Sequence, residues 1–143
     1  MKLVIGSLGW EKQEGFVRVD IVPEWADVCC DIRYGIPVEE QFDVIDCKHV
    51  LEHIQLNEHY LAVWKELYRL LKPGGILQVE VPHKNTEMAY ESWDHCRYFV
   101  NNSFIAFYNN PNYVFEGLPQ FKFVELHNGL CNKEKTICLT LTK

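Results

Sequence analysis

The sequence predicts an α/β fold with a mainly parallel sheet, and three observations carry that reading. Short apolar, β-branched runs recur along the chain and end at polar or glycine-bearing turns. Between two of them lies one amphipathic helical stretch, which makes a right-handed βαβ unit. In the last third, two further runs are joined by a link too short for a parallel crossover.

Leu3–Ile5, Phe16–Val19, Ala26–Cys30, Phe42–Cys47 and Ile76–Val81 read as strands. From Asn57, a candidate N-cap, apolar residues fall at Tyr60, Val63, Trp64, Leu67, Leu70 and Leu71, the stripe of a helix packed on a sheet. Lys72-Pro73-Gly74-Gly75 stops that helix. Phe121–Leu126 and Thr136–Leu141 read as an antiparallel hairpin linked through Asn128 to Lys135. Residues 83–120 are rich in Asn, Pro and aromatics, with a short helix expected from Ser103. The whole of 1–143 reads as one domain, with 83–120 as an insertion on the substrate side.

Composition narrows the function. The chain has 143 residues, 48% of them hydrophobic, and a formal net charge of −6 from 14 Lys+Arg and 20 Asp+Glu. Without a basic run it lacks the footprint of a protein that holds a phosphate backbone, so nucleic acid is disfavoured as a partner. No run approaches the length of a spanning helix, and the N-terminal apolar run is too short for a signal peptide, so a cytoplasmic location is expected. The six cysteines show no CxxC spacing and read as small buried thiols; Cys96, with polar and basic neighbours, is the exception.

In an open parallel sheet, ligands bind beyond the carboxyl ends of the strands. The residues just past each strand are therefore informative: Gly6-Ser7-Leu8-Gly9 after the first, Asp20 and Ile21 after the second, Asp31 and Ile32 after the third, His49 after the fourth and His83 after the fifth. Each alone has an ordinary structural reading. Asp31, for one, can simply cap the turn into Arg33. Their convergence at one edge is the signal.

With those residues in view, the chain resembles the class I S-adenosylmethionine-dependent methyltransferases, and within them the small type-11-like predicted methyltransferases. The resemblance runs over about residues 3–126. It rests most on the spacing of His49-Val50-Leu51-Glu52-His53-Ile54 and Leu70-Leu71-Lys72-Pro73-Gly74-Gly75, and adds Asp94-His95-Cys96-Arg97-Tyr98-Phe99. It implies a Rossmann-like methyltransferase fold with sheet order 3-2-1-4-5-7-6 and strand seven antiparallel. It also implies S-adenosyl-L-methionine as cofactor, with Gly6, Ser7 and Gly9 around the methionyl part, Asp20 and Ile21 at the ribose, Asp31 and Ile32 at the adenine, and His49 beside the sulfonium. Glu52 and His53 would orient the surrounding loops. The first motif, usually GCGxG, lacks a glycine here, and the nine residues Ser7 to Gly15 leave a reduced first crossover.

An acceptor protonated at neutral pH needs a base, and His95 is the candidate; Arg97 beside it suits an anionic group of a small-molecule or glycan-type substrate. The aromatics of the insertion, among them Trp10, Tyr90, Trp93, Tyr98, Phe99, Phe104, Phe107 and Tyr108, suit the stacking of a planar or sugar substrate, a second apolar cluster or a homodimer surface. Two other readings stand beside this one. A non-catalytic binding or interaction module is suggested by the altered glycine motif and short crossover. A zinc metallopeptidase is suggested by His49-Val50-Leu51-Glu52-His53 as an HxxEH string, but that motif needs both histidines on one helix and His49 comes directly after a strand, so no metal is assigned.

Overall fold

The computed structural model describes residues 1–6, 14–107, 117–131 and 133–143. Its sheet contains β1 (Lys2–Ile5), β2 (Phe16–Asp20), β3 (Val28–Cys29), β4 (Phe42–Lys48), β5 (Leu71–Pro82), β6 (Lys122–Cys131) and β7 (Glu134–Thr142). The order is β3-β2-β1-β4-β5-β7-β6. β1 to β5 pair in parallel, and β7 runs antiparallel to both β5 and β6. This is the order and the antiparallel strand that the sequence implied. The first crossover, 7–13, lies outside the described residues.

Helix α1 (Asn57–Leu70) links β4 to β5 and buries Val63, Trp64, Leu67 and Leu70. Its N-cap is Leu56 rather than Asn57. The Asn57 side chain is drawn away to accept from Arg97 Nη2 at 3.0 Å. At the other end the helix stops as expected, yet β5 begins at once: Leu71 pairs with Phe42, and after an irregularity the ladder resumes at Val44 and Ile76. Gly74, at φ +76°, makes the bend between these two stretches.

Other expectations shift locally. β3 is two residues long, not five, because Pro23–Trp25 before it closes into a 3-10 turn in which the Ala26 N–H donates to the Pro23 carbonyl, and Asp31 after it caps another 3-10 turn. The hairpin is longer than expected. Asn128, Gly129, Leu130 and Cys131 pair with Ile137, Thr136, Lys135 and Glu134, so most of the anticipated link is strand and the reversal is tight, with Lys133 at φ +69°. The helix expected from Ser103 is a 3-10 segment, Asn101–Phe107, in which Ser103 Oγ accepts from the Val100 N–H at 2.9 Å. Of the cysteines only Cys47 is fully buried, while Cys29 and Cys96 are exposed. Burial and the nearby carboxylates of Glu52 and Asp46 push the Cys47 thiol far up, which makes it an inert core group.

One apolar cluster joins the sheet, α1 and the 3-10 segment, with Leu3, Ile45, Trp64, Leu67, Phe104 and Leu139 almost wholly buried. Among the described residues no helix is long and apolar enough to cross a membrane. The consequence for function is positional: β1, β2, β3 and β4 all end at the same edge of this sheet.

Candidate functional site

The carboxyl ends of those four strands surround a cavity of about 650 Å³. Gly6, Asp20, Ile21, Asp31, Ile32 and His49 all line it. Ser7 and Gly9 lie outside the described residues.

Gly6 closes the base of the cavity at φ +73°. A Cβ there would stand 2.6 Å from Val50 Cγ2 and 2.9 Å from the Lys48 carbonyl oxygen, so the backbone of β1 approaches that of β4 more closely than any side chain permits. Asp20 ends β2, and its Oδ1 accepts from the Val22 N–H at 3.0 Å. That bond turns the chain into the Pro23–Trp25 segment and brings Trp25 to the cavity wall. Asp31 takes the Arg33 N–H at 3.0 Å and the Arg33 Nε at 2.9 Å from both of its oxygens. The bound guanidinium holds its carboxyl below the usual carboxylate range. Asp31 therefore caps a turn and lines the cavity at once.

His49 comes after β4 with φ 54°, a left-handed conformation uncommon for a residue with a Cβ, and its N–H donates to the Glu80 carbonyl at 2.9 Å. Its Nδ1 lies 3.4 Å from Glu52 and its Nε2 3.8 Å from Glu80. Burial pulls the imidazole down, but Glu52, Glu80 and Glu91 outweigh it and leave the pKa above the ordinary histidine value.

Beyond His49 the chain makes a short 3-10 turn, Leu51–His53, which buries Glu52 to 1% exposure. The segment 94–97 is fastened over this turn. Cys96 and Arg97 both donate their N–H to the Glu52 carbonyl, at 2.9 and 3.1 Å. His53, on the cavity wall, has Nδ1 3.0 Å from Asp94 Oδ2, and its ring packs edge-on against that of His95 at 4.6 Å. His95 stands behind His53 rather than on the wall, with Nδ1 3.2 Å from the Ala89 carbonyl.

Arg97, the residue expected at an anionic substrate group, is held by its own chain. Its Nε donates to the Ile54 carbonyl at 2.9 Å, and its Nη2 to the Gln55 carbonyl at 3.2 Å and to Asn57, while the guanidinium covers the Tyr60 ring at 4.2 Å. With Nε and Nη2 bonded to the chain, it positions the loop. Arg97→Lys is expected to lower stability by about 1–3 kcal/mol, because an ammonium cannot reproduce the planar fork. Thermal unfolding reads this as a lower midpoint with cofactor affinity little changed; an unchanged midpoint with weakened acceptor binding would restore the substrate role.

Sequence reasoning missed Trp25 and Cys30 as lining residues, and gave Glu52 and His53 only an orienting task. Trp25 sits in no strand-end motif, and Trp93, at 97% exposed, lines the mouth from a segment distant in sequence. The aromatics of the insertion divide: Phe99, Phe104 and Phe107 are buried, whereas Tyr90 and Tyr98 stack on each other at the surface. Trp10 and Tyr108 lie outside the described residues. The HxxEH string forms no two-histidine helical face, since His49 ends a strand and His53 lies in a 3-10 turn.

A family model described as a methyltransferase domain matches residues 9–113. The chain belongs to this family. Solved structures similar to the methyltransferase domain over 99% of its length include three methyltransferases. The N-methyltransferase NodS from Bradyrhizobium japonicum WM9, in complex with S-adenosyl-l-homocysteine, gives a TM-score of 0.68 at 18% identity over 76% of that chain. An S-adenosylmethionine-dependent methyltransferase from Clostridium acetobutylicum ATCC 824 gives 0.71 at 13% over 82%. The Burkholderia thailandensis 1,6-didemethyltoxoflavin-N1-methyltransferase, with its substrate and S-adenosylhomocysteine bound, gives 0.68 at 17% over 70%. No curated protein matches the chain. Family and sheet order together place the domain among the class I S-adenosylmethionine-dependent methyltransferases.

Proposed function

We propose that the methyltransferase domain transfers the methyl group of S-adenosylmethionine to a small-molecule acceptor, and that Gly6, Asp20, Ile21, Asp31, Ile32 and His49 hold the cofactor. The observation that carries this is the cavity at the strand ends, which all six line and whose floor is a glycine that cannot accept a Cβ. A volume of about 650 Å³ falls within the range of about 300–1,000 Å³ typical of ligand pockets. Asp20 stands where acidic residues accept the ribose hydroxyls in nucleotide-binding sheets. Asp31 and Ile32 offer a carboxylate and an apolar wall to the adenine, and Gly6 lets the methionyl part approach the backbone. Ser7 and Gly9 belong to the same reading through the family motif.

When bound, the cofactor supplies an activated methyl group on a positively charged sulfur. The protein then has chiefly to align acceptor and methyl and to exclude water. His49 is fixed by its backbone bond to β5 and by the carboxylates beside it, so the sulfonium side of the cavity has a rigid wall. The segment 83–107, tied down at Glu52, Ile54 and Gln55, closes the acceptor side and presents Trp93 and Asp94. On that side the wall carries His53, with Asp94 at 3.0 Å and the expected base, His95, packed against its ring. A net charge of −6 favours a small molecule over nucleic acid.

Isothermal titration with S-adenosylhomocysteine tests the cofactor reading. The wild-type chain is expected to bind, and Asp20→Asn, which keeps the acceptor for the Val22 N–H, to weaken binding about ten- to a hundredfold, the worth of hydrogen bonds to a charged group. No heat of binding to wild type sinks the proposal and leaves a non-catalytic module.

A further inference from the structure

We infer that Glu52, His53 and His95 form a binding site for a divalent transition-metal ion of the zinc class, reached from the cavity that His53 lines. One carboxylate oxygen and one nitrogen of each imidazole lie within 4.8 Å of one another. Two imidazoles and a carboxylate are a ligand set that zinc takes in catalytic sites, where a fourth position stays open.

Three features separate this cluster from a chance meeting of polar groups. Glu52 is 1% exposed and both of its carboxylate oxygens are buried without a hydrogen-bond donor. The nearest candidate, His49 Nδ1, stays at 3.4 Å. A buried carboxylate whose one imidazole neighbour stays at 3.4 Å, with no hydrogen bond to either oxygen, is poorly compensated, and an ion between it and His53 and His95 adds the missing partner. Next, both histidines carry the outer support that metal-bound histidines have: His95 Nδ1 lies 3.2 Å from the Ala89 carbonyl, and His53 Nδ1 lies 3.0 Å from Asp94 Oδ2. A partner on one ring nitrogen fixes the tautomer and leaves the other as a lone-pair donor. Finally, the two segments that supply the ligands are locked together by the Cys96 and Arg97 bonds to the Glu52 carbonyl, so the set is held by the fold.

A tetrahedral ion about 2.0–2.1 Å from each ligand draws those atoms closer together than 4.8 Å, so binding requires the three side chains to contract around it. The neighbouring group His49, Glu80 and Cys131 is the weaker candidate, because Lys48 Nζ lies 3.9 Å from Glu80 and competes with a cation. The ion's binding does not rest on the methyltransferase reading.

The test uses the full chain, stripped with chelator and titrated with Zn²⁺ by calorimetry, with Co²⁺ absorption as a check on coordination. One equivalent is expected, weakened at least tenfold in both Glu52→Gln and His95→Ala and unchanged in Cys131→Ser, with circular dichroism confirming that each variant is folded. Absence of a stoichiometric site, or a site lost in Cys131→Ser and kept in Glu52→Gln and His95→Ala, overturns the inference. S-adenosylhomocysteine titrated into the metal-free chain separates the two readings. Binding of S-adenosylhomocysteine without a zinc site removes only the metal proposal, and a zinc site without that binding removes only the proposed function.

Discussion

Gly6→Ala is expected to abolish S-adenosylhomocysteine binding and to destabilise the fold by about 2–5 kcal/mol. The first part of that cost is conformational: a Cβ at φ +73° adds about 1–2 kcal/mol. The second is overpacking, about 1–3 kcal/mol, because the new methyl meets Val50 Cγ2 at 2.6 Å and the Lys48 carbonyl at 2.9 Å. A side chain can rotate away, but the carbonyl belongs to the end of β4 and moves only if β1 and β4 part. Those two strand ends form the cavity floor, so stability and cofactor affinity fall together. Gly15→Ala is the control: its φ is +81°, yet a Cβ there meets nothing within 4 Å, and only the conformational cost of about 1–2 kcal/mol applies. Denaturant unfolding and calorimetry on both variants read the difference, and wild-type affinity in Gly6→Ala would remove the close backbone approach from the account of the site.

How much of this was legible in the sequence divides by range. Strand ends with Gly6, Asp20, Asp31 and His49 could be read because a parallel sheet carries all its ligand-facing ends to one edge, a rule that needs only local pattern. β3 shrank because Pro23 and Asp31 initiate turns on both sides of it, and those short-range bonds took residues the apolar pattern had given to the strand. Asn57 has the chemistry of an N-cap, but Arg97, forty residues on, claims its oxygen. The same guanidinium also holds the Ile54 and Gln55 carbonyls, partners that no spacing in the sequence shows. Glu52, His53 and His95 come from two segments whose contact is made by backbone bonds at the Glu52 carbonyl, and no spacing within either segment encodes that contact.

Trp64→Ala is expected to cost about 3–5 kcal/mol, the range for removing a buried aromatic side chain. Against a total of about 5–15 kcal/mol for a domain, that leaves the chain close to its unfolding threshold. The reason is where the indole sits. It is 0% exposed on the inner face of α1, with the Phe107 ring at 4.6 Å, Phe121 at 6.0 Å and Phe104 at 6.4 Å. Phe104 in turn stacks on Phe99 at 5.5 Å, the residue that pairs with His83 beyond the end of β5. Trp64 is thus the link between α1 and the 3-10 segment Asn101–Phe107, and a void there loosens both. Trp64→Phe keeps a ring in the cluster and is expected to lose about half as much. Because no atom of Trp64 lines the cavity, both variants should bind S-adenosylhomocysteine with near wild-type affinity at temperatures where they remain folded. Chemical denaturation measures the stability loss, and calorimetry below the transition measures the affinity. A Trp64→Phe variant that keeps full stability but loses the ligand would show that the aromatic cluster shapes the cavity directly rather than holding its walls together.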